Sequence, residues 1–282
     1  MCRLFGFKSV LVTSSHRSLV AANNALLEQS LRNPDGWGLS YYIENYPHVV
    51  KSIEAAHGNS IFAHVSEIVK SKCFLAHIRK ATMGKKNILN THPFQYKNWC
   101  FIHNGHIFNL KDIKKKLLEN ISPNFKGVIL GDTDSELLFY YFLTKIINIE
   151  TMNETLDILA ESISSLEKLT GNFKKATNCS QAEEELEKDN KKSSVSFILT
   201  NGEKMIGFEG GKKVYFSTHK DQCPENKTCD FYNNSCEAKT NNGGKINHLI
   251  ISSEKIIKEN IWQKLSHKSF VAIDKNYNLY NK

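Results

Sequence analysis

No run of about 18 apolar residues occurs in the 282-residue chain, which excludes a membrane-spanning helix. An export signal is not expected either, because Lys8, Ser14, Ser15, His16 and Arg17 interrupt the first apolar stretch. Arginine is scarce: Arg3, Arg17, Arg32 and Arg79 are the only four, so the net charge of +8 rests on lysine. Nucleic-acid surfaces lean on clustered arginines. The longest basic run here, Lys114-Lys115-Lys116, reads instead as an exposed helical face. Neither a nucleic-acid nor a membrane partner is expected. The seven cysteines (2, 73, 100, 179, 223, 229 and 236) form no repeated Cys-x-x-Cys pattern, and an odd number leaves at least one unpaired. Free thiols in a reducing compartment follow, and with them a cytoplasmic location. Internal repeats of solenoid or propeller period are also lacking. What is present is ordinary for a globular protein, with 40% hydrophobic and 23% charged residues. The length suffices for a sizeable core.

Along the chain, the apolar run Arg3–Phe7 predicts a buried strand, and Leu19, Ala22, Leu26 and Leu27 give helical spacing over Ser18–Ser30. Asn33-Pro34-Asp35-Gly36 is a strong turn signal. Strands are predicted over Trp37–Ile43, Val49–Ile53, Cys73–Arg79 and Trp99–His103, with a helix over Ile61–Val69. In the third of these strands Phe74, Ala76 and Ile78 share one face and Leu75, His77 and Arg79 the other. Helices are predicted over Leu110–Glu119, Asp134–Ile149 and Thr155–Leu169, the second opened by a Thr133-x-x-Glu136 capping box. Strands return at Val195–Thr200 and Lys204–Phe208 around the hairpin signal Asn201-Gly202, then at Val214–Ser217, Ile246–Ile251 and Phe270–Asp274. Strands at both ends with helices grouped between them indicate a mixed α+β class. We expect one domain over residues 1–282, with polar surface excursions near 172–194 and 219–245.

Chemistry-bearing residues sit at predicted element ends. Cys2 follows the initiator Met, and removal of Met1 would leave it with a free α-amine of pKa roughly 7.7–8.0. One residue would then supply both a soft nucleophile and its general base; taken alone, a cysteine at position two reads as an accident, and the residues downstream decide. Arg79 ends an apolar strand and precedes Lys80-Ala81-Thr82-Met83-Gly84, where a guanidinium beside a hydroxyl and loop amides suits a carboxylate; its plain alternative is a surface salt bridge. Asn104 and Gly105 at a strand end offer two donors to one developing oxyanion, or simply a hairpin turn. Asp134, in Gly131-Asp132-Thr133-Asp134-Ser135-Glu136, suits an ammonium group, or merely complements a helix dipole.

Six segments occur in one order: Met1-Cys2-Arg3-Leu4-Phe5-Gly6, Asn33-Pro34-Asp35-Gly36-Trp37-Gly38, His77-Ile78-Arg79-Lys80-Ala81-Thr82, Asn90-Thr91-His92-Pro93-Phe94, His103-Asn104-Gly105, and Gly131 to Glu136. Together they closely resemble the class II glutamine amidotransferases, in particular their small stand-alone branch. The likeness is dense over the first half and traceable later in Phe197–Gly207 and Ile250–Trp262. It implies a four-layer αββα N-terminal-nucleophile sandwich with two antiparallel sheets. It also implies Cys2 as nucleophile with its own amine as base, and Asn104 and Gly105 as oxyanion hole. Arg79, with the Thr82 region, would hold the substrate α-carboxylate and Asp134 its α-ammonium. Lys80 and Met83 stand where the amino-sugar synthases of the class carry an aromatic residue and a histidine, which sets the chain apart from them.

The implied substrate is glutamine or a γ-glutamyl small molecule, with no cofactor and no metal. His219, Cys223, Cys229 and Cys236 miss the usual short zinc-ligand spacings, and His92 and His103 belong to the motifs above. Three functional readings follow: a glutaminase that passes ammonia to a separate acceptor or synthase protein, a γ-glutamyl hydrolase of small peptides or thiol metabolites, and a non-catalytic regulatory scaffold. The complete set Cys2, Arg79, Asn104, Gly105 and Asp134 argues against the last.

Overall fold

Alternation along the strands divides the apolar residues among three separate cores, and four layers follow from that division. The computed structural model describes residues 2–81, 84–176, 191–223, 226–227, 232, 237–241 and 243–282. The strands are β1 (Arg3–Ser14), β2 (Trp37–Ile43), β3 (Tyr46–Ser52), β4 (Lys70–Ile78), β5 (Phe94–Tyr96), β6 (Trp99–His106), β7 (Ser194–Thr200), β8 (Met205–Phe208), β9 (Tyr215–Ser217), β10 (His248–Ser252), β11 (Gln263–Lys264), β12 (Phe270–Ile273) and β13 (Leu279–Asn281). The α-helices are α1 (Leu26–Gln29), α2 (Ser60–Ile68), α3 (Leu110–Glu119), α4 (Pro123–Lys126), α5 (Asp134–Ile146) and α6 (Met152–Thr170).

Seven strands form one sheet in the order β11-β9-β10-β1-β4-β2-β3, and six form the other as β13-β12-β8-β7-β6-β5. Every pairing is antiparallel. On β4, Phe74, Ala76 and Ile78 join Phe5, Trp37 and the helical Leu19, Leu26 and Phe62 in an outer core. Cys73 and Leu75, on the opposite face, join Leu4 and Ile251 against Ile102, Ile198 and Val271 of the second sheet. The far face of that second sheet presents Phe101, Phe197, Phe208 and Phe270 to Phe139, Phe142, Leu159 and Leu166 of α5 and α6. Helices, sheet, sheet, helices is therefore the order of layers.

Helix α5 is apolar nearly all round, with Leu137 through Leu143 buried without interruption. Such a helix is stable only when it is covered on all sides, and here α3, α6 and the second sheet cover it. The Phe101–Phe139 stack, 5.5 Å between centroids, pins it to β6. Its N-cap, Thr133, accepts a hydrogen bond from the Glu136 N–H. Only that half of the predicted capping box forms. The Glu136 carboxylate turns to the N–H groups of Leu130 (3.1 Å) and Gly131 (2.6 Å), fastening the preceding loop rather than closing the box.

Other differences from expectation have local causes. Strand β1 runs past Phe7 to Ser14 because β4 continues to pair with it through a register shift between Lys8 and Thr13. The expected helix over Ser18–Ser30 is broken into a π-turn (Arg17–Ala21), α1 and a 3-10 turn (Ser30–Arg32). Asn24 between them sits at φ 60°, a left-handed value that asparagine tolerates and that no helix continues through. The Asn201-Gly202 hairpin has a four-residue loop, with Thr200 facing Met205 and Asn201 Oδ1 accepting the N–H groups of Glu203 and Lys204. Much of the expected excursions lies outside the described residues, including Cys179, Cys229 and Cys236.

Candidate active site

Strand register brings the start of β1 to the end of β4. Arg3 faces Ile78, so the residue before Arg3 meets the residues after Ile78. The Cys2 thiol lies on the Lys80 backbone, accepting its N–H at 3.3 Å and donating toward its carbonyl at 3.4 Å. The turn Asn33-Pro34-Asp35-Gly36 clasps the same segment. Gly36 O accepts the Arg79 N–H (2.8 Å), Arg79 O accepts the Asp35 N–H (3.1 Å), and Asp35 Oδ2 accepts the Ala81 N–H (2.9 Å). Gly36 is at φ +126°, and a β-carbon there would sit 2.8 Å from Ser52 O, so this turn requires glycine.

Arg79 is 3% exposed, with Nη2 reaching Gly84 O at 3.5 Å. Asn90 ties the loop that follows to the approach of α5, donating to Lys85 O and accepting from the Asp132 N–H, both at 3.0 Å. Asp134, the first residue of α5, accepts the Ile107 N–H at Oδ2 (2.7 Å) and faces the Ser135 hydroxyl at Oδ1 (3.4 Å). Packing of α5 on β6 is what sets the first of these bonds, and it holds the carboxylate beside the end of β6. Gly105 lies against β7 so closely that a β-carbon would be 1.9 Å from Ser194 O; no side chain fits there.

Cys2, Arg79, Lys80, Gly105 and Asp134 thus wall one recess of about 20 Å³, with Asn90, His92, His103, Thr133 and Ser135. Asn104 is the neighbouring residue of β6 and does not line the recess. It is buried on the face that carries Cys100 and Ile102 into the inter-sheet core, the same side to which Leu4, and before it Cys2, belong. Its side-chain amide makes no hydrogen bond to any described residue. Thr82 lies outside the described residues.

Of the described cysteines, Cys73, Cys100 and Cys223 are buried and Cys2 is partly exposed. Burial pushes the Cys100 thiol up to about 12, which makes it inert. The surroundings also desolvate the Cys2 sulfur and raise it above its ordinary value, opposed by the Lys80 N–H and the Arg79 charge. A protonated resting thiol needs a base at the moment of attack.

Three buried histidines, whose arrangement the spacing does not disclose, line the back of the site. The rings of His77 and His92 pack at 4.1 Å between centroids with a 34° tilt, and His77 Nε2 meets His103 O at 3.2 Å. His103 Nδ1 meets the Ser135 hydroxyl at 2.8 Å, which links it to Asp134. Burial lowers all three, His77 to about 3. Among the described residues no group of three or more His, Cys, Asp or Glu could hold a metal ion. His77 and His103 act as hydrogen-bonding groups, whereas both ring nitrogens of His92 are buried without a partner and its ring packs between His77 and Phe94.

Acid sensitivity follows. An unfolded histidine takes up its proton near pH 6.5, whereas folded His77 remains neutral down to about 3. The unfolded state binds more protons across that window, so stability is full above pH 6.5 and declines as pH falls, by about 1.4 kcal/mol per pH unit for each such histidine. Denaturant unfolding at stepped pH should show this decline, and His77→Gln should flatten it. An unchanged slope in that variant would place the effect elsewhere.

Residues 1–276 match a family model described as glutamine amidotransferases class-II. In Saccharomyces cerevisiae the curated protein "Probable glutamine amidotransferase DUG3" is 36% identical over 160 residues, covering 51% of this chain and 45% of that one. A Mycobacterium tuberculosis gamma-glutamyl-hercynylcysteine sulfoxide hydrolase is 32% identical over 114 residues, covering 37% and 49%. The solved glutamine aminotransferase class-II domain protein of Silicibacter pomeroyi superposes with a TM-score of 0.61 at 16% identity, over 99% of this chain and 98% of that one. That last likeness is one of fold. The matches span somewhat under half the length of the first curated relatives, 45% in each of two.

Proposed function

The chain belongs to the class-II glutamine amidotransferases and has their four-layer N-terminal-nucleophile fold, and on that premise we propose that it cleaves the side-chain amide of glutamine, or of a γ-glutamyl compound, through a thioester on Cys2. The observation that carries this reading is the convergence of the Cys2 thiol, a buried guanidinium and a buried carboxylate on one recess. An amino-acid head group presents one carboxylate and one ammonium, and Arg79 and Asp134 are their complements.

After removal of Met1 the Cys2 nitrogen becomes an amine, close to half unprotonated near pH 7.7–8.0, roughly its ordinary pKa. It takes the thiol proton as the sulfur bonds to the amide carbon. The carbonyl oxygen becomes an oxyanion held by the Gly105 N–H, which lines the recess, and by the amide of Asn104, the adjoining β6 residue, which comes within reach as the recess widens for substrate. Collapse breaks the carbon–nitrogen bond, and the leaving nitrogen departs with the proton returned by the Cys2 amine. A water then cleaves the thioester, releasing glutamate and the free thiol. A thiol whose ordinary pKa lies above neutral rests protonated, so the amine has a proton to take at the moment of attack. The recess of about 20 Å³ admits little more than a water, so it has to widen to admit substrate.

A second reading, hydrolysis of a γ-glutamyl peptide or thiol metabolite, is favoured by the named hydrolase among the relatives. It uses the same head-group site and differs in the leaving amine. Transfer of the ammonia to a separate acceptor protein would be the fate of the product in the first reading. Intact-mass measurement with a diazo-ketone glutamine analogue tests the shared chemistry. Met1 should be missing, and one adduct should map to Cys2; retention of Met1, or no adduct, overturns the proposal. Parallel turnover of glutamine and a γ-glutamyl dipeptide then separates the two readings.

A further inference from the structure

The start of β1 is fastened by Ser252-Ser253-Glu254, a segment that the chemistry above does not use. The Leu4 N–H donates to the Ser253 hydroxyl, and the Leu4 carbonyl accepts the Ser253 N–H and the Ser252 hydroxyl, each at 3.1 Å. A hydroxyl thus stands where a continued ladder would offer a backbone carbonyl, and β10 ends there. Backbone groups alternate in direction along a strand, so Cys2 is the next residue of the chain start to point to that side. The register with β10 stops at Phe5, however, and gives Cys2 no strand partner.

A side chain takes the Cys2 carbonyl instead. Arg3 Nη1 donates to it at 3.4 Å, and Arg3 Nη2 pairs with Glu254 Oε1 at 3.3 Å. The Arg3 side chain is 15% exposed, so salt screens this pair less than one on the open surface. Chain termini fray unless tied down, yet a terminal nucleophile has to be held without engaging the nitrogen it needs as base. A bond to the carbonyl meets both demands. Nitrogen and carbonyl oxygen of one residue are about 3–4 Å apart, which puts the guanidinium within roughly 7 Å of the Cys2 nitrogen. A positive charge there disfavours an ammonium.

We propose, on the premise of the Cys2 thioester, that Arg3 held by Glu254 is a positioning residue for the nucleophile: it fixes Cys2 through its carbonyl and favours the unprotonated α-amine that takes the thiol proton. The other charges around Cys2 are Arg79 and Lys80 after β4, Asp134 at the head of α5, and Asp35 in the turn before β2. His103 of β6 is kept neutral by burial. Arg79 and Asp134 act on the sulfur, and all of these groups stay in place when Arg3 or Glu254 is changed.

The pH dependence of kcat/KM tests the role, because its acid limb reports the base of the free enzyme. It is measured with whichever of glutamine and the γ-glutamyl dipeptide turns over faster, on protein that intact mass shows to lack Met1. Arg3→Gln removes the cation and leaves Glu254, so the limb should move up by roughly 0.5 pH unit or more, and kcat/KM at pH 7 should fall about threefold. Arg3→Lys keeps the charge without the fork that joins Cys2 O to Glu254; it should keep the limb and lower the plateau rate. Glu254→Gln, at a position 43% exposed, leaves Arg3 unopposed and should move the limb down. A limb that stays in place in Arg3→Gln, or moves as far in Arg3→Lys, overturns the assignment. If thermal unfolding shows that Arg3→Gln does not fold, Glu254→Gln decides, and a limb unmoved or raised there overturns it. A parent that forms no Cys2 adduct with the diazo-ketone analogue overturns the thioester itself, whereas an adduct with an unmoved limb in the variants overturns only the role of Arg3.

Discussion

Replacing Cys2 by alanine is expected to reduce glutamine turnover by roughly 10⁶-fold, the scale of loss when a covalent nucleophile is removed. No described thiol can substitute for it: Cys73, Cys100 and Cys223 are buried, and burial lifts Cys73 and Cys100 away from the thiolate form. The folded state should hardly notice the change. Cys2 precedes β1, is partly exposed, and its sulfur hydrogen-bonds only to the Lys80 backbone, so the expected stability loss is about 1 kcal/mol or less. An unchanged melting temperature with no turnover is therefore the predicted pair of results. Cys2→Ser preserves the shape and the α-amine but offers a poorer nucleophile, and should fall between the two. Residual activity of Cys2→Ala within about tenfold of the parent would move the nucleophile to another residue.

The site could be read in the sequence to the extent that each functional side chain stands at the end of an element marked by turn or capping residues. Arg79 follows a strand whose two faces separate by simple alternation, and Asp134 follows the N-cap Thr133. Strand β2 and helix α3 have the predicted boundaries for the same reason, since clear periodicity is bounded on each side by polar residues. What could not be read depends on contacts between distant segments. Asn90 joins two loops 42 residues apart, and the contact of His77 on β4 with His92 depends on how the loop before β5 lies over the first sheet. Strands β5, β11 and β13 are two or three residues long; each is a strand only because a longer neighbour pairs with it, and no period of two can be recognised in so short a span. The break of the first helical segment at Asn24 is a related case. The apolar spacing persists across the interruption while the backbone leaves the helical region.

Arg79→Ala is expected to lower kcat/KM for glutamine by about 10²–10³-fold, mostly through KM. The α-carboxylate lies several bonds from the amide carbon under attack, so a guanidinium that holds it binds ground state and transition state alike. Losing such uniform binding raises KM and leaves kcat comparatively intact. Arg79→Lys separates charge from geometry: an ammonium restores the attraction but not the planar fork, and should recover only part of the loss. Because Arg79 is buried and reaches Gly84 O, the alanine variant also removes a tie to the loop that carries Asn90. Some loss of stability is expected with it, and thermal unfolding of both variants checks that the fold is retained. Asp134→Asn provides the control of opposite sign. It keeps an oxygen for the Ile107 N–H but removes the charge that we propose for the substrate ammonium, and so should raise KM without unfolding the end of α5. A substrate lacking the α-carboxylate discriminates most sharply, since Arg79→Ala should process it no worse than the parent does. If the parent and the variant differ as much on that substrate as on glutamine, Arg79 acts through the fold and not through the carboxylate.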